Sequence, residues 1–306
     1  MFYWLSYKIL FQVMMFIILL FIFACANNNT DNNRDKKRSN FNLESKNSVK
    51  LSKKLHELSG LAMTNDGRLF GHNDEKAEIF QIDYSDGSII KSFSLGKKSV
   101  KKDFEGIAIV DDIFFLVSSS GEIFEFSEGE DNSSVPYEKY KTRLTSKNNV
   151  EGLCYDPESN SLLLACKEYP GKSYDGKRAV YAFSLTEKKL NIKPRFLISI
   201  EEVNSFKNTG FAKKLGDFFL LTEDSFAPSG IEKHPQKNSF FLLSFHGRMI
   251  VEISSVGKII GVIFLDKKYH NQPEGITFSE DLSLLIGDEG GKGKATITKY
   301  AATGTK

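Results

Sequence analysis

From residue 51 onward the apolar residues come in short runs broken by turn residues, as in LAM, NDG, RLFGHND, EIFQIDY, SDG and SIIKSFSL within 61–95. The runs are about four to seven residues long and rich in β-branched and aromatic side chains, so they predict strands, and a helical period fails in nearly every unit. One motif recurs at the start of each group of runs: LSGL at 58–61, FEGI at 104–107, VEGL at 150–153, PSGI at 228–231 and PEGI at 273–276. Its glycines, Gly60, Gly106, Gly152, Gly230 and Gly275, are spaced by 46, 46, 78 and 45 residues. A fixed period in this range marks a repeat array, and four antiparallel strands per repeat describe a propeller blade, which closes radially and leaves no long open edge. The expectation is an all-β, five-bladed β-propeller, with six blades as the alternative. The long interval places an extra stretch at 201–227, readable as a connection or as a degenerate sixth blade. The first blade is expected to draw its outermost strand from residues around 50–56.

The first 50 residues are of another kind. Lys8 is followed by an apolar stretch over 9–24 that is interrupted only by Gln12. It is short for a membrane span and has the length of a signal-peptide core. Ile22, Phe23, Ala24 and Cys25 resemble a bacterial lipobox, which implies cleavage before Cys25 and a lipid on its thiol. Residues 26–50 hold eight asparagines and few apolar side chains, too few to offset the entropy of ordering. The predicted organisation is therefore a signal peptide over 1–24, a lipid-anchor cysteine and disordered tether over 25–50, and the propeller over 51–306. Membrane attachment through lipidated Cys25 places the protein in the bacterial cell envelope. Ala26 carries no acidic retention signal, which by resemblance to bacterial lipoproteins favours the outer membrane.

Charge narrows the partners. Lys and Arg number 41 against 39 Asp and Glu, a balance of +2, which gives no field for nucleic acid. Cys154 and Cys166 are expected as buried thiols on successive strands, not as a disulfide. The five histidines are scattered, no G-x-S-x-G elbow is present, and a serine hydrolase is not expected. His72, near a turn, is expected at the surface.

Blade symmetry brings the residues before the five glycines, Ser59, Glu105, Glu151, Ser229 and Glu274, into one ring at a mouth of the channel. Three carboxylates there would raise one another's pKa values unless a cation or a basic side chain lay between them. Oxygen ligands of this type suit calcium. A second set of acids ends the second strand of several units: Asp74 and Glu75, Glu168, Glu223 and Asp224, and Asp288 and Glu289.

The segments ELSGLAMTNDGRLFGHNDE, DFEGIAIVDDIFFLVSSSGEIFEF, NVEGLCYDPESNSLLLACKE, APSGIEKHPQKNSFFLLS and NQPEGITFSEDLSLLIGDEG, in that order, resemble the SdiA-regulated family of bacterial proteins, distant relatives of NHL-repeat propellers. The resemblance covers residues 50 to 300. It implies a five-bladed propeller with a calcium site near its axis, with Glu105, Glu151 and Glu274 as ligands and Glu168, Asp74 and Glu289 as weaker companions. Serine at the first and fourth positions departs from a fully acidic ring. The expected function is a calcium-binding module for an envelope protein, glycan or small-molecule ligand. The alternative is a calcium-dependent hydrolase of phosphoesters or lactones, similar to phytase-like propellers.

Overall fold

The computed structural model describes residues 41–207 and 226–303. Cys25, Glu223 and Asp224, and with them the signal peptide and the anchor, lie outside the described residues.

Five antiparallel sheets follow one another along the chain. The first contains β2 (Leu58–Met63), β3 (Leu69–Asn73), β4 (Glu78–Ile82) and β5 (Ile89–Leu95), with the short β9 (Ser133–Val135) added in parallel to β5. The second contains β6 (Phe104–Val110), β7 (Ile113–Ser118), β8 (Ile123–Ser127) and β10 (Glu138–Tyr140). In the third, β11 (Val150–Asp156) and β12 (Ser161–Cys166) lead to β13 (Lys177–Ser184), which pairs with both β14 (Lys189–Leu190) and β15 (Phe196–Ser199). The fourth is β16 (Pro228–Lys233), β17 (Ser239–Ser244), β18 (Met249–Ser254) and β19 (Ile259–Phe264). The fifth is β20 (Pro273–Phe278), β21 (Leu284–Asp288) and β22 (Thr296–Ala302), completed by β1 (Phe41–Lys50).

The inner strands β2, β6, β11, β16 and β20 each pack on the next, and β20 packs on β2, which closes the ring. The protein is a five-bladed β-propeller, as the repeat predicts. Among the described residues, the extra stretch between blades 3 and 4 begins as helix α1 (Ile200–Lys207).

Each of five hydrophobic clusters fills the space between two neighbouring blades. Phe70 and Phe93 meet Phe114 and Phe124 between blades 1 and 2, and Leu58 and Phe80 meet Leu285 and Ile297 between blades 5 and 1. A blade buries both faces against its neighbours, which is why its central strands read as continuous apolar runs such as SLLLAC and SFFLLS, buried at every position.

Two expectations at the start of the propeller are corrected. Residues 41–50, assigned to the tether on composition, form β1, and this strand completes the last blade. The first blade takes no strand from 50–56, where Lys53–Leu55 is a single 3-10 turn and Leu51 and Leu55 pack on Leu58 and Phe80. Averaging over 26–50 hid three apolar side chains. Phe41 is buried against Phe241 and Phe278, Leu43 packs beside it, and Val49 joins the next cluster. Burial of these residues and a ladder to β22 offset the ordering cost that the polar remainder cannot. Pairing β1 with β22 through backbone hydrogen bonds also ties the start of the described chain to its last blade, out of sequence order.

Cys154 and Cys166 are free and buried. Cys154 lies opposite Leu163 and Cys166 opposite Val150, so the hairpin does not face them toward each other.

Candidate functional site

The repeated glycine motif is the signature of a β-bulge. In the first blade Leu58 pairs with Asn73 and Gly60 with His72, which leaves Ser59 out of the ladder. Glu105, Glu151, Ser229 and Glu274 are left out in the same way in the other four blades. A bulge re-aims the extra residue and ends regular pairing, so the fold presents five side chains at one end of the channel. The glycine that follows is required by the approach of the next blade. A Cβ on Gly152 would lie 2.9 Å from the backbone of Gly230 and Ile231, and one on Gly230 would lie 2.8 Å from the Glu274 carbonyl. Gly60 instead makes room within its own blade for His72, whose Nε2 would lie 2.6 Å from a Cβ.

The five positions share one register, the bulge of an inner strand. Ser59 Oγ donates to Glu105 Oε2 at 3.1 Å across blades 1 and 2, and Ser229 Oγ donates to the Pro273 carbonyl at 2.7 Å across blades 4 and 5. Glu151 is buried, and Glu105 and Glu274 are half-buried. Burial, then Glu151, Asp103 and Glu274, push Glu105 up to about 10, against the opposing hydrogen bond from Ser59. Burial and then Glu151 push Glu274 well above the usual carboxylate range. Burial also raises Glu151, but Lys167 opposes it.

Lys167 is the residue that sequence reasoning missed. It follows β12 and points its ammonium at the ring, with Nζ 2.9 Å from Glu151 Oε1. Asn149 Nδ2 donates to the same oxygen at 3.0 Å. Burial alone would lower the Lys167 pKa, but Glu151, with Glu274 and Glu105 behind it, outweighs this and raises it. The sequence carries the signal: Lys167 stands between the end of β12 and the strand-tip acid Glu168.

The companions divide. Asp74 belongs to the mouth: burial, then Glu57, Glu75 and Asp103, push it up to about 6. Its Oδ1 and the neighbouring Asn73 Oδ1 are buried without a hydrogen-bond partner among the described residues. Glu289 also belongs here, raised by burial and then by Asp74 and Glu57, with Gln272 Nε2 donating to it. Glu168 is exposed and reaches the ring only through Asn149, which donates to it at 3.3 Å. Asp288 is buried. Its Oδ2 lies 2.7 Å from His270 Nδ1, and His270 Nε2 lies 2.7 Å from the Tyr300 hydroxyl. That triad is sealed inside blade 5 and acts as a structural clasp. His72, expected at the surface, is fully buried, with Nδ1 3.0 Å from the Asn73 carbonyl.

The donor chemistry of the mouth, carboxylates with orphaned amide and carboxylate oxygens, suits a hard cation. As placed, these side chains do not close a shell: among the described residues no three Asp, Glu, His or Cys side chains are grouped to hold a metal, and the best-buried carboxylate is paired with Lys167.

Solved structures with similar folds include a glutaminyl cyclase from Myxococcus xanthus, 11% identical over 84% of this chain and 96% of that one, with a TM-score of 0.50. A PQQ-bound aldose sugar dehydrogenase from Streptomyces coelicolor is 12% identical over 84% and 98%, at 0.47. A virginiamycin B lyase from Staphylococcus aureus is 14% identical over 85% and 89%, at 0.46. At such identities the likeness concerns the fold alone. A family model described as SdiA-regulated matches residues 34–290.

Proposed function

The chain belongs to the SdiA-regulated family, and from that premise we propose that it is a binding module of the bacterial cell envelope whose acidic mouth takes a hard cation, calcium foremost. Lipidated Cys25 would tether it to the outer membrane, and the loaded mouth would meet an envelope protein, glycan or small molecule.

One observation carries the reading. Three glutamates sit on the bulges of three inner strands; burial and then the charge of Glu151 raise the pKa values of Glu105 and Glu274, and the ammonium that Glu151 engages is that of Lys167. The excess of carboxylate is then held as bound protons, which a cation would displace. Glu105, Glu151 and Glu274, with the orphaned Asp74 oxygen, are the groups that would hold the ion, and its role there is to neutralise charge. Accepting it requires the Glu151 carboxylate to give up Lys167.

Titration calorimetry of calcium into the full chain tests this. Binding that releases protons to the buffer, and that weakens at least tenfold in Glu274→Gln, is the expected result. No binding, or equal binding by the Glu105→Gln, Glu274→Gln double variant, would overturn it. The anchor is tested separately: Cys25→Ser should move the protein from the membrane to the soluble fraction.

A further inference from the structure

The opposite end of the channel holds a second, unrelated site. The inner strands of blades 1 to 4 end around a cavity of about 200 Å³ whose walls include Met63, Ile109, Cys154, Tyr155, Glu232 and His234. Ile231 lies in the core between blades 3 and 4, so the pleat turns Glu232 to the opposite face. There Glu232 Oε1 accepts from the Lys233 amide at 2.8 Å, and the carboxyl also bonds the Thr277 hydroxyl of blade 5.

What Glu232 lacks is a cation. The adjacent Lys233 ammonium is committed to Asp156 Oδ1 at 3.2 Å and Glu158 Oε1 at 3.5 Å. His234 Nδ1 accepts from the Gln236 and Lys237 amides at 3.1 and 3.2 Å, and burial lowers its pKa to about 4, so its ring is neutral. The Cys154 thiol is raised by burial and then by Glu232, so it stays protonated. Blades 1 and 2 contribute only Ala62, Met63, Ala108 and Ile109. A carboxyl so placed either keeps its proton or is ionised by a cation brought to it.

We propose that this cavity binds a small organic amine, with the ammonium paired to the Glu232 carboxylate and the alkyl body against Met63, Ile109 and Tyr155. At roughly 30 Å³ for each water-sized group, the space takes a chain of about six heavy atoms. Burial pushes Glu232 up to about 8. Below that pH, entry of an alkylammonium sends one proton from Glu232 to solvent. Above it, none is released. Affinity therefore rises with pH through this range until the amine itself loses its charge.

The test is calorimetric titration of n-pentylamine, with n-pentanol as its uncharged counterpart, into the full chain at pH 6.5 and pH 9. The expected result is pentylamine binding about thirtyfold tighter at pH 9, the ratio of ionised Glu232 for a pKa of about 8. Pentanol should be indifferent to pH, and Glu232→Gln should lose both the preference for the amine and its pH dependence. Equal pentylamine affinity at the two pH values, or unchanged binding by Glu232→Gln, overturns the proposal. Should that variant not fold, the Met63 methyl resonance of the wild type locates the ligand: a shift on adding pentylamine supports the site, and no shift excludes it.

Discussion

Lys167 Nζ lies 2.9 Å from Glu151 Oε1, and both residues come from the first hairpin of blade 3, where Val150 pairs with Cys166. A contact local to one blade thus supplies the positive charge for a ring assembled from three. Glu105 and Glu274 act on the same ammonium from blades 2 and 5. Burial and then the neighbouring carboxylate Glu151 raise Glu105 and Glu274, while Lys167 opposes the same rise at Glu151.

Replacing Lys167 by Met should therefore destabilise the fold at pH 8 in chelator. Breaking a fully buried pair costs about 3–5 kcal/mol. Lys167 retains 19% side-chain exposure, so about 1–3 kcal/mol is expected here, a fall of several degrees in the unfolding temperature. Calorimetric scans with and without calcium check it, and calcium should restore more of the loss than it adds to the wild type. An unchanged midpoint in chelator would show that the pair contributes nothing.

Gly152→Ala should cost about 1–3 kcal/mol through overpacking, because the new methyl meets the backbone of blade 4 at 2.9 Å and backbone cannot turn aside. Gly293→Ala is the control, since its nearest neighbour would be 3.6 Å away, and it should stay within about 0.5 kcal/mol of wild type. Denaturant midpoints of the two variants make the comparison. Equal midpoints would mean that the glycine is not set by blade approach.

Phe41→Ala should lose about 3–5 kcal/mol, the usual cost of truncating a buried aromatic, because its ring packs on Phe241 and Phe278. Removing residues 1–50 should do more, since β22 then becomes an open edge able to pair with another chain. Light scattering should report association of the truncated protein. A stable monomer would mean that β1 is dispensable.

The architecture was legible because a period of 45 to 46 residues, read from Gly60, Gly106, Gly152 and the last pair, survives in one-dimensional order. The shared register was legible for the same reason: Ser59, Glu105, Glu151, Ser229 and Glu274 each occupy the bulge of an inner strand. Lys167 was not, because it occurs once and no repeat points to it. Glu232 was hidden by the same fact, since it is the one acid at a position where the other blades carry Ala62, Ala108, Cys154 and Thr277. His72 looked like a surface group because its burial depends on a cross-strand neighbour, the absent Cβ at Gly60, and the clasp of His270 with Tyr300 is not visible in local sequence. The strand at 41–50 was lost by averaging its three apolar residues into an asparagine-rich stretch.

The charge state of the mouth gives a prediction whose sign is fixed. Glu105 has an ordinary pKa of 4.5 and is pushed up to about 10 in the fold. A carboxyl raised in the native state stabilises it while protonated, and that contribution is lost as the pH climbs from the unfolded value toward the folded one. Wild-type stability should therefore decline between about 4.5 and 10, where the unfolded chain has released a proton that the native chain still holds. Glu105→Gln keeps an oxygen for Ser59 and has no proton to lose, so it should match the wild type at pH 4 and exceed it by about 1–3 kcal/mol at pH 8 in chelator. That range is set below the full shift at 1.36 kcal/mol per pKa unit, because solvent reaches the half-buried group. Urea unfolding at the two pH values measures the difference. A variant weaker than wild type at pH 8 in chelator would mean that the carboxylate is ionised and well paired there, and the proton-held mouth would have to be abandoned.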